Sequence, residues 1–157
     1  MHDEIELKFL VKEMPEGLHN YEVHELKQGY IALGDDGSEV RLREKDGKYF
    51  LTAKSAGNVK RREAEIRIDK KDFSVLWPFT DGKRIEKLRY DIPYAGHVIE
   101  LDVYSGKLEG LVTAEVEFES AEECAAFVPP AWLGKDITND KRYKNKNLSR
   151  TGVPIEI

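Results

Sequence analysis

Charged side chains recur at every second position in one short segment after another, and this period constrains the fold more than any other feature of the chain. Glu4, Glu6 and Lys8 begin the series. Arg41 and Arg43, then Lys54, then Arg61, Glu63 and Glu65 continue it, followed by Lys87 and Arg89, Glu100 and Asp102, and Glu115 and Glu117. The intervening residues are mainly apolar, among them Ile5, Leu7, Leu42, Ile66, Leu88, Leu101, Val116 and Phe118. Alternate side chains of a β-strand point to opposite faces, so each segment reads as a strand with one charged and one apolar face. Strands are expected near residues 3–12, 22–33, 38–46, 48–55, 61–69, 84–93, 97–105 and 111–119. Gly34-Asp35-Asp36-Gly37, Asp46-Gly47, Asp81-Gly82 and Ala95-Gly96 carry the turn chemistry that joins antiparallel neighbours. About eight such strands form a meander, a number at which a sheet can close into a barrel.

Three short helices accompany the strands. Asp69 caps the first, from about Lys70 to Trp77, and Pro78 ends it. Ser120 and Glu123 form a capping-box pattern at the start of the second, which stops before Pro129-Pro130. The third is expected near Asn139–Asn147.

The alternation fits two architectures. An open sheet or sandwich buries the apolar face and shows the charges to water. A closed sheet turns the charges inward and covers its apolar exterior with helices. The second is costly unless the ions pair or meet a charged ligand. Charged residues are 35% of the 157-residue chain, above the roughly 25% of ordinary globular domains. A polar interior is one place to put them.

The inventory says what such an interior could hold. Lys8, Arg41, Arg43, Lys54, Arg61, Lys87 and Arg89 exceed what a single phosphate needs and suit a polyphosphate, with guanidinium forks on its oxygens. The accompanying carboxylates can balance these cations and hold a divalent metal. The four histidines, His2, His19, His24 and His97, lack metal-ligand spacing, so a carboxylate set points to Mg²⁺ or Mn²⁺ and away from zinc. There is no P-loop, no Gly-rich dinucleotide motif and no Ser/His/Asp arrangement.

The length suits one domain over residues 1–157. A net charge of −5 gives no reason to expect nucleic acid. The single Cys124 suits a buried thiol in a reducing compartment, and no signal-peptide or membrane-length apolar run is visible. A cytoplasmic protein, monomeric or homodimeric, is the expectation.

Glu4-Ile5-Glu6-Leu7-Lys8 resembles the E-x-E-x-K signature of the CYTH, or triphosphate tunnel metalloenzyme, superfamily. The resemblance covers nearly the full chain. Gln28-Gly29-Tyr30, Arg41-Leu42-Arg43, Leu51-Thr52-Ala53-Lys54 and Arg61-Arg62-Glu63-Ala64-Glu65 follow in the family's order. So do Lys87-Leu88-Arg89-Tyr90, Glu100-Leu101-Asp102-Val103, Glu115-Val116-Glu117-Phe118 and the tail Thr138–Leu148. Leu76-Trp77-Pro78 and Pro129-Pro130-Ala131-Trp132 look most similar to the short bacterial inorganic tripolyphosphatases.

The resemblance implies an eight-stranded tunnel with charged faces inside, short helices outside and a C-terminal helix near one mouth. It implies hydrolysis of a small-molecule triphosphate, tripolyphosphate foremost, with Mg²⁺ or Mn²⁺. Glu4, Glu6, Glu115 and Glu117 are then the leading metal ligands, with Glu63, Glu65, Glu100 and Asp102 as further ones. Arg41, Arg43, Lys54, Arg61, Lys87 and Arg89 grip phosphate, and Tyr143 and Asn145 reach it from the tail. Lys8 and Lys87 are the catalytic candidates, and Lys8 acts either as a base or as a phosphate ligand. A class IV adenylyl cyclase, a thiamine or nucleoside triphosphatase, a polyphosphate-binding module without catalysis and a purely structural sheet remain alternatives.

Overall fold

The structure, a computed structural model, describes residues 5–57 and 62–156. Nine strands form one antiparallel sheet: β1 (Ile5–Val11), β2 (Glu22–Leu33), β3 (Glu39–Lys45), β4 (Lys48–Lys54), β5 (Glu63–Ile68), β6 (Arg84–Tyr94), β7 (His97–Tyr104), β8 (Val112–Phe118) and β9 (Leu133–Asp136). Their order is β5-β4-β3-β2-β6-β7-β8-β1-β9. Hairpins join most neighbours. Asp46 and Gly47 (φ 50° and 80°) turn β3 into β4, and Ala95 and Gly96 (φ 49° and 81°) turn β6 into β7, both with positive φ at two central positions as two-residue hairpins require.

Two expectations are corrected. The sheet is not closed by hydrogen bonds among the described residues: β5 stands at one end of the order and β9 at the other. The ninth strand, Leu133–Asp136, was not expected, because Leu-Gly-Lys-Asp is too short to display alternation. It is nevertheless paired along β1, with Val11 opposite Leu133 and Phe9 opposite Asp136.

The apolar face of β1, β6, β7 and β8 carries the main core. Phe9, Ile92, Ile99, Leu101, Val116 and Phe118 are buried there beneath Phe127 and Trp132. Helix α2 (Ala121–Ala126) lies over this side, its start capped by Ser120 Oγ, which accepts from the Glu123 amide at 3.1 Å. Helix α1 (Lys70–Leu76) lies beside β4, with Asp69 accepting from the Asp72 amide at 2.7 Å. The α-helix ends before Pro78, as expected, and a separate 3-10 turn, Trp77–Thr80, accommodates the proline near its start. Phe73 stacks on Trp77 and packs on Tyr49.

A second core lies on the opposite face. Ile85, Tyr104, Leu108, Leu111, Ile137, Tyr143 and Leu148 are buried together with Leu10 against them. The tail supplies it: a 3-10 turn at Lys141–Tyr143 leads into α3 (Asn145–Thr151), which is displaced toward the C-terminus from the expected 139–147. The basic tail therefore covers part of the charged face of the sheet.

Candidate active site

Strand register brings the charged residues onto one surface. Lys8 lies opposite Glu115 and Glu6 opposite Glu117 between β1 and β8; Glu100 lies opposite Glu115 between β7 and β8. Arg89 faces Asp102 across β6 and β7. Arg41 faces Tyr30 and Thr52, and Arg43 faces Gln28 and Phe50. Residues paired in this way share a face. Part of this face is enclosed: Lys87 is 7% exposed and Asp102 0%, while the apolar neighbour Leu88 is 40% exposed. The charged face is thus enclosed around Lys87 and Asp102, while Glu6 and Glu117 are exposed and the apolar face of β1, β7 and β8 is buried as the main core.

Asp102 organises the centre. Lys87 Nζ donates to its Oδ2 at 2.7 Å, and Arg89 donates to its two oxygens from Nε and Nη2 at 2.7 and 2.9 Å. The third guanidinium nitrogen, Nη1, donates to Glu100 Oε2 at 3.0 Å. Burial opposes the Asp102 charge, but Lys87 and Arg89 outweigh it and hold the carboxyl below its usual range. Arg89 is correspondingly held protonated more firmly than a free guanidinium. Arg43 moves the other way: burial lowers its pKa first, the nearby Arg41 adds to this, and Arg89 pushes in the same direction while Glu65 opposes. A cluster of cations strained in this way favours an added anion.

Arg43, Gln28 and Tyr30 form a chain, with Arg43 Nε donating to Gln28 Oε1 at 3.3 Å and Gln28 Nε2 to the Tyr30 hydroxyl at 2.9 Å. Arg41 Nε and Asn145 Oδ1 are buried with no hydrogen-bond partner, which is costly unless something else occupies the site. Asn145, Arg43, Lys87 and Arg89 line one cavity of about 70 Å³ together with Leu26, Gln28, Lys45 and Ile85. The tail helix thus forms one wall of the cationic interior.

Toward another opening the character becomes acidic. Asp91, Glu100, Glu117, Glu119 and Glu123 line a space of about 530 Å³ with Gly96, His97 and Val98. Glu6 against Glu117 and Glu100 against Glu115 are like-charged pairs directly across neighbouring strands, an arrangement that destabilises a sheet when nothing bridges it. Burial raises the Glu100 pKa, and Glu115, Asp102 and Asp91 raise it further against the opposing pull of Arg89. An all-oxygen set of this kind fits a hard divalent cation.

Comparison with known proteins places the chain in a family. A CYTH domain profile matches residues 2–151. The chain belongs to the CYTH family. It is 48% identical over 150 residues to a protein of Nitrosomonas europaea named inorganic triphosphatase, covering 93% of this chain and 96% of that one. A second inorganic triphosphatase, from Acetivibrio thermocellus, is 37% identical over 155 residues, covering 94% of each. The crystal structure of an inorganic triphosphatase superposes with a TM-score of 0.84 at 45% identity, over 96% of this chain and 97% of that one. A putative adenylyl cyclase from Hippeastrum shares the fold at a TM-score of 0.54 and 17% identity, over 79% and 83% of the two chains.

Against the residues expected of a CYTH site, the structure gathers Lys8, Lys87, Arg89, Glu100, Asp102 and Glu115 into one bonded or paired network. Arg41 and Arg43 lie beside it on β3, and Lys54 on β4 faces Glu39 across the sheet. Glu63 and Glu65 stand on the terminal strand β5, both exposed, with Glu65 accepting from Thr52 Oγ1 at 3.2 Å. Glu4 and Arg61 lie outside the described residues. Asp102, expected as a metal ligand, has both oxygens engaged by cations. Tyr143 presents its carbonyl, not its ring, to the site: Lys8 Nζ donates to that oxygen at 2.7 Å.

Sequence reasoning did not find His24. Its two ring nitrogens meet Asp46 at 2.7 Å and Asp91 at 2.8 Å, with Glu22 at 3.5 Å. Glu22, His24 and Asp91 have ligand atoms close enough to share a metal. Two of these residues are on β2 and one on β6, joined by the register of Glu22 with Asp91, so no linear spacing could have signalled them. Among the described residues no helix is long and apolar enough to cross a membrane.

Proposed function

We propose that this chain is a divalent-metal-dependent inorganic triphosphatase that hydrolyses tripolyphosphate to pyrophosphate and orthophosphate. One observation carries the reading: a row of inward cations, two of them fixed by Asp102, runs beside facing carboxylate pairs on the same surface. A linear triphosphate bearing a divalent cation has the complementary charge distribution. The sheet would then wrap its substrate as a tunnel.

Arg41, Arg43, Lys54, Lys87 and Arg89, with Arg61, would bind the phosphate oxygens. Because Asp102 holds Lys87 and Arg89 before substrate arrives, their donors need little rearrangement as charge develops on the transferring phosphoryl group. Mg²⁺ or Mn²⁺ would be held by Glu6, Glu115 and Glu117, with Glu100 adjoining and Glu4 as a further candidate ligand, and would neutralise phosphate charge. Lys8 contacts two acceptors, the Tyr143 carbonyl and Glu115 at 3.5 Å, which suits an ammonium presenting a further proton to a phosphate oxygen. Asn145, with its unsatisfied buried oxygen, would receive a hydrogen bond from a bound water.

The test is a substrate panel with products identified: tripolyphosphate, ATP and thiamine triphosphate, each with Mg²⁺ and Mn²⁺. Tripolyphosphate should be turned over with the highest kcat/KM and yield orthophosphate. Arg43→Ala should raise KM about tenfold or more, as expected for charged hydrogen bonds of roughly 1.5–3 kcal/mol. Preferred turnover of ATP to cyclic AMP would assign the chain to cyclases instead.

A further inference from the structure

Besides Glu115 on β8, the C-terminal segment holds Lys8 at its backbone and at its ammonium. The Ile137 amide donates to the Lys8 carbonyl at 2.8 Å, and the Lys8 amide donates to Thr138 Oγ1 at 3.0 Å. The Lys8 ammonium donates to the Tyr143 carbonyl at 2.7 Å. Beyond α3 the chain returns, and Glu156 fastens this segment at three points. Its Oε2 accepts from Lys135 at 3.1 Å, its Oε1 accepts from Arg142 at 3.3 Å, and Oε1 also receives a short hydrogen bond from the Tyr143 hydroxyl. Arg142 additionally donates to the Ile155 carbonyl at 3.3 Å.

Tyr143 is 1% exposed. Its ring is buried in one cluster with Ile85, Tyr104 and Leu148, and its hydroxyl donates to Glu156. Burial first, and Glu156 next, raise the hydroxyl pKa to about 12, so it remains a donor at neutral pH. The Glu156 bond therefore fixes the far end of a residue whose near end, the carbonyl, receives Lys8.

We infer that Glu156 is a positioning residue: it clasps Lys135, Arg142 and Tyr143 and thereby sets the Tyr143 carbonyl that aims the Lys8 ammonium into the site. The inference rests on the reading that Lys8 works on the triphosphate. It assigns a role in the reaction to the end of the chain, well outside the charged face. Among the described residues, Glu156 makes no direct hydrogen bond or ion pair with Lys8, Arg41, Arg43, Lys87 or Arg89.

A double-mutant cycle tests it, with single-turnover rates at high enzyme concentration so that slow variants remain measurable. Glu156→Ala and Tyr143→Phe each remove the short bond and should lower the rate about tenfold with KM little changed. Glu156→Gln keeps an acceptor for the tyrosine and should restore most of the loss. In a Lys8→Met background, Glu156→Ala should cause no further loss, because there is no ammonium left to aim. Full additivity of the two substitutions, or an unchanged rate in Glu156→Ala while Lys8→Met is impaired, would overturn the clasp alone. Wild-type rates in Lys8→Met would overturn the role of Lys8 and the clasp with it.

Discussion

Asp102 shows how much a single carboxylate decides. It is fully buried between Lys87 and Arg89, so removing it leaves two largely buried cations without their shared partner. Breaking a buried ion pair from one side costs about 3–5 kcal/mol. Urea unfolding of Asp102→Ala should show a loss of that order, and a loss under about 1 kcal/mol would mean that the cations find other partners. The pH dependence has a definite sign. A carboxyl whose folded pKa is depressed contributes stability above its ordinary value near 3.8, and this is lost as pH falls through the lower folded value. Acid titration of stability should therefore be shallower in Asp102→Asn than in the wild type. The sequence places Asp102 on the charged face by its spacing from Glu100. It does not say that Arg89 lies directly across, because that depends on which strands pair and in what register.

At the level of elements, strands with long alternation were legible and short or irregular ones were not. β1, β6, β7 and β8 announce themselves by repeated charge at spacing two, and Asp46-Gly47 and Ala95-Gly96 fix two hairpins. β9 has four residues and no alternation; β1 provides its pairing partner. The tail helix was placed too early because Asn139–Asn147 reads as polar and helical, yet its first turn is 3-10 and the α-helix starts only at Asn145. The His24 contacts join β2 to the β3–β4 turn and to β6, a role invisible in the chain order. Hydrogen bonds to Asp46 first, and to Asp91 next, raise the His24 pKa above 6.5. A histidine raised in this way stabilises the fold fully below about 6.5, and the contribution disappears as pH rises through the folded value. Thermal midpoints should thus fall between mildly acidic and mildly basic pH in the wild type. His24→Gln should flatten that slope, and an unchanged slope would assign it to other groups.

Taken as a whole, the molecule encloses charge on one face of its sheet and an apolar core on the other. Lys87 and Asp102 are enclosed while Leu88, Val98 and Ile66 are left partly in water, Ile66 at 56% exposure. Alternation alone could not choose between charges outward and charges inward, since both satisfy a period of two. The choice lies in long-range burial, which depends on α2 and the Phe127 cluster covering one apolar face and on the tail covering the other side. Enclosing so many ions makes physical sense when an ionic substrate and its metal complete them. The central claim is therefore that the facing carboxylates hold the metal with which tripolyphosphate is hydrolysed. Orthophosphate release from tripolyphosphate, measured while Mg²⁺ is added back to chelator-treated protein, tests it in wild type and Glu117→Gln. The account predicts no turnover without metal and at least a tenfold higher Mg²⁺ requirement in Glu117→Gln. Turnover without metal, or the same Mg²⁺ requirement in both proteins, would contradict it.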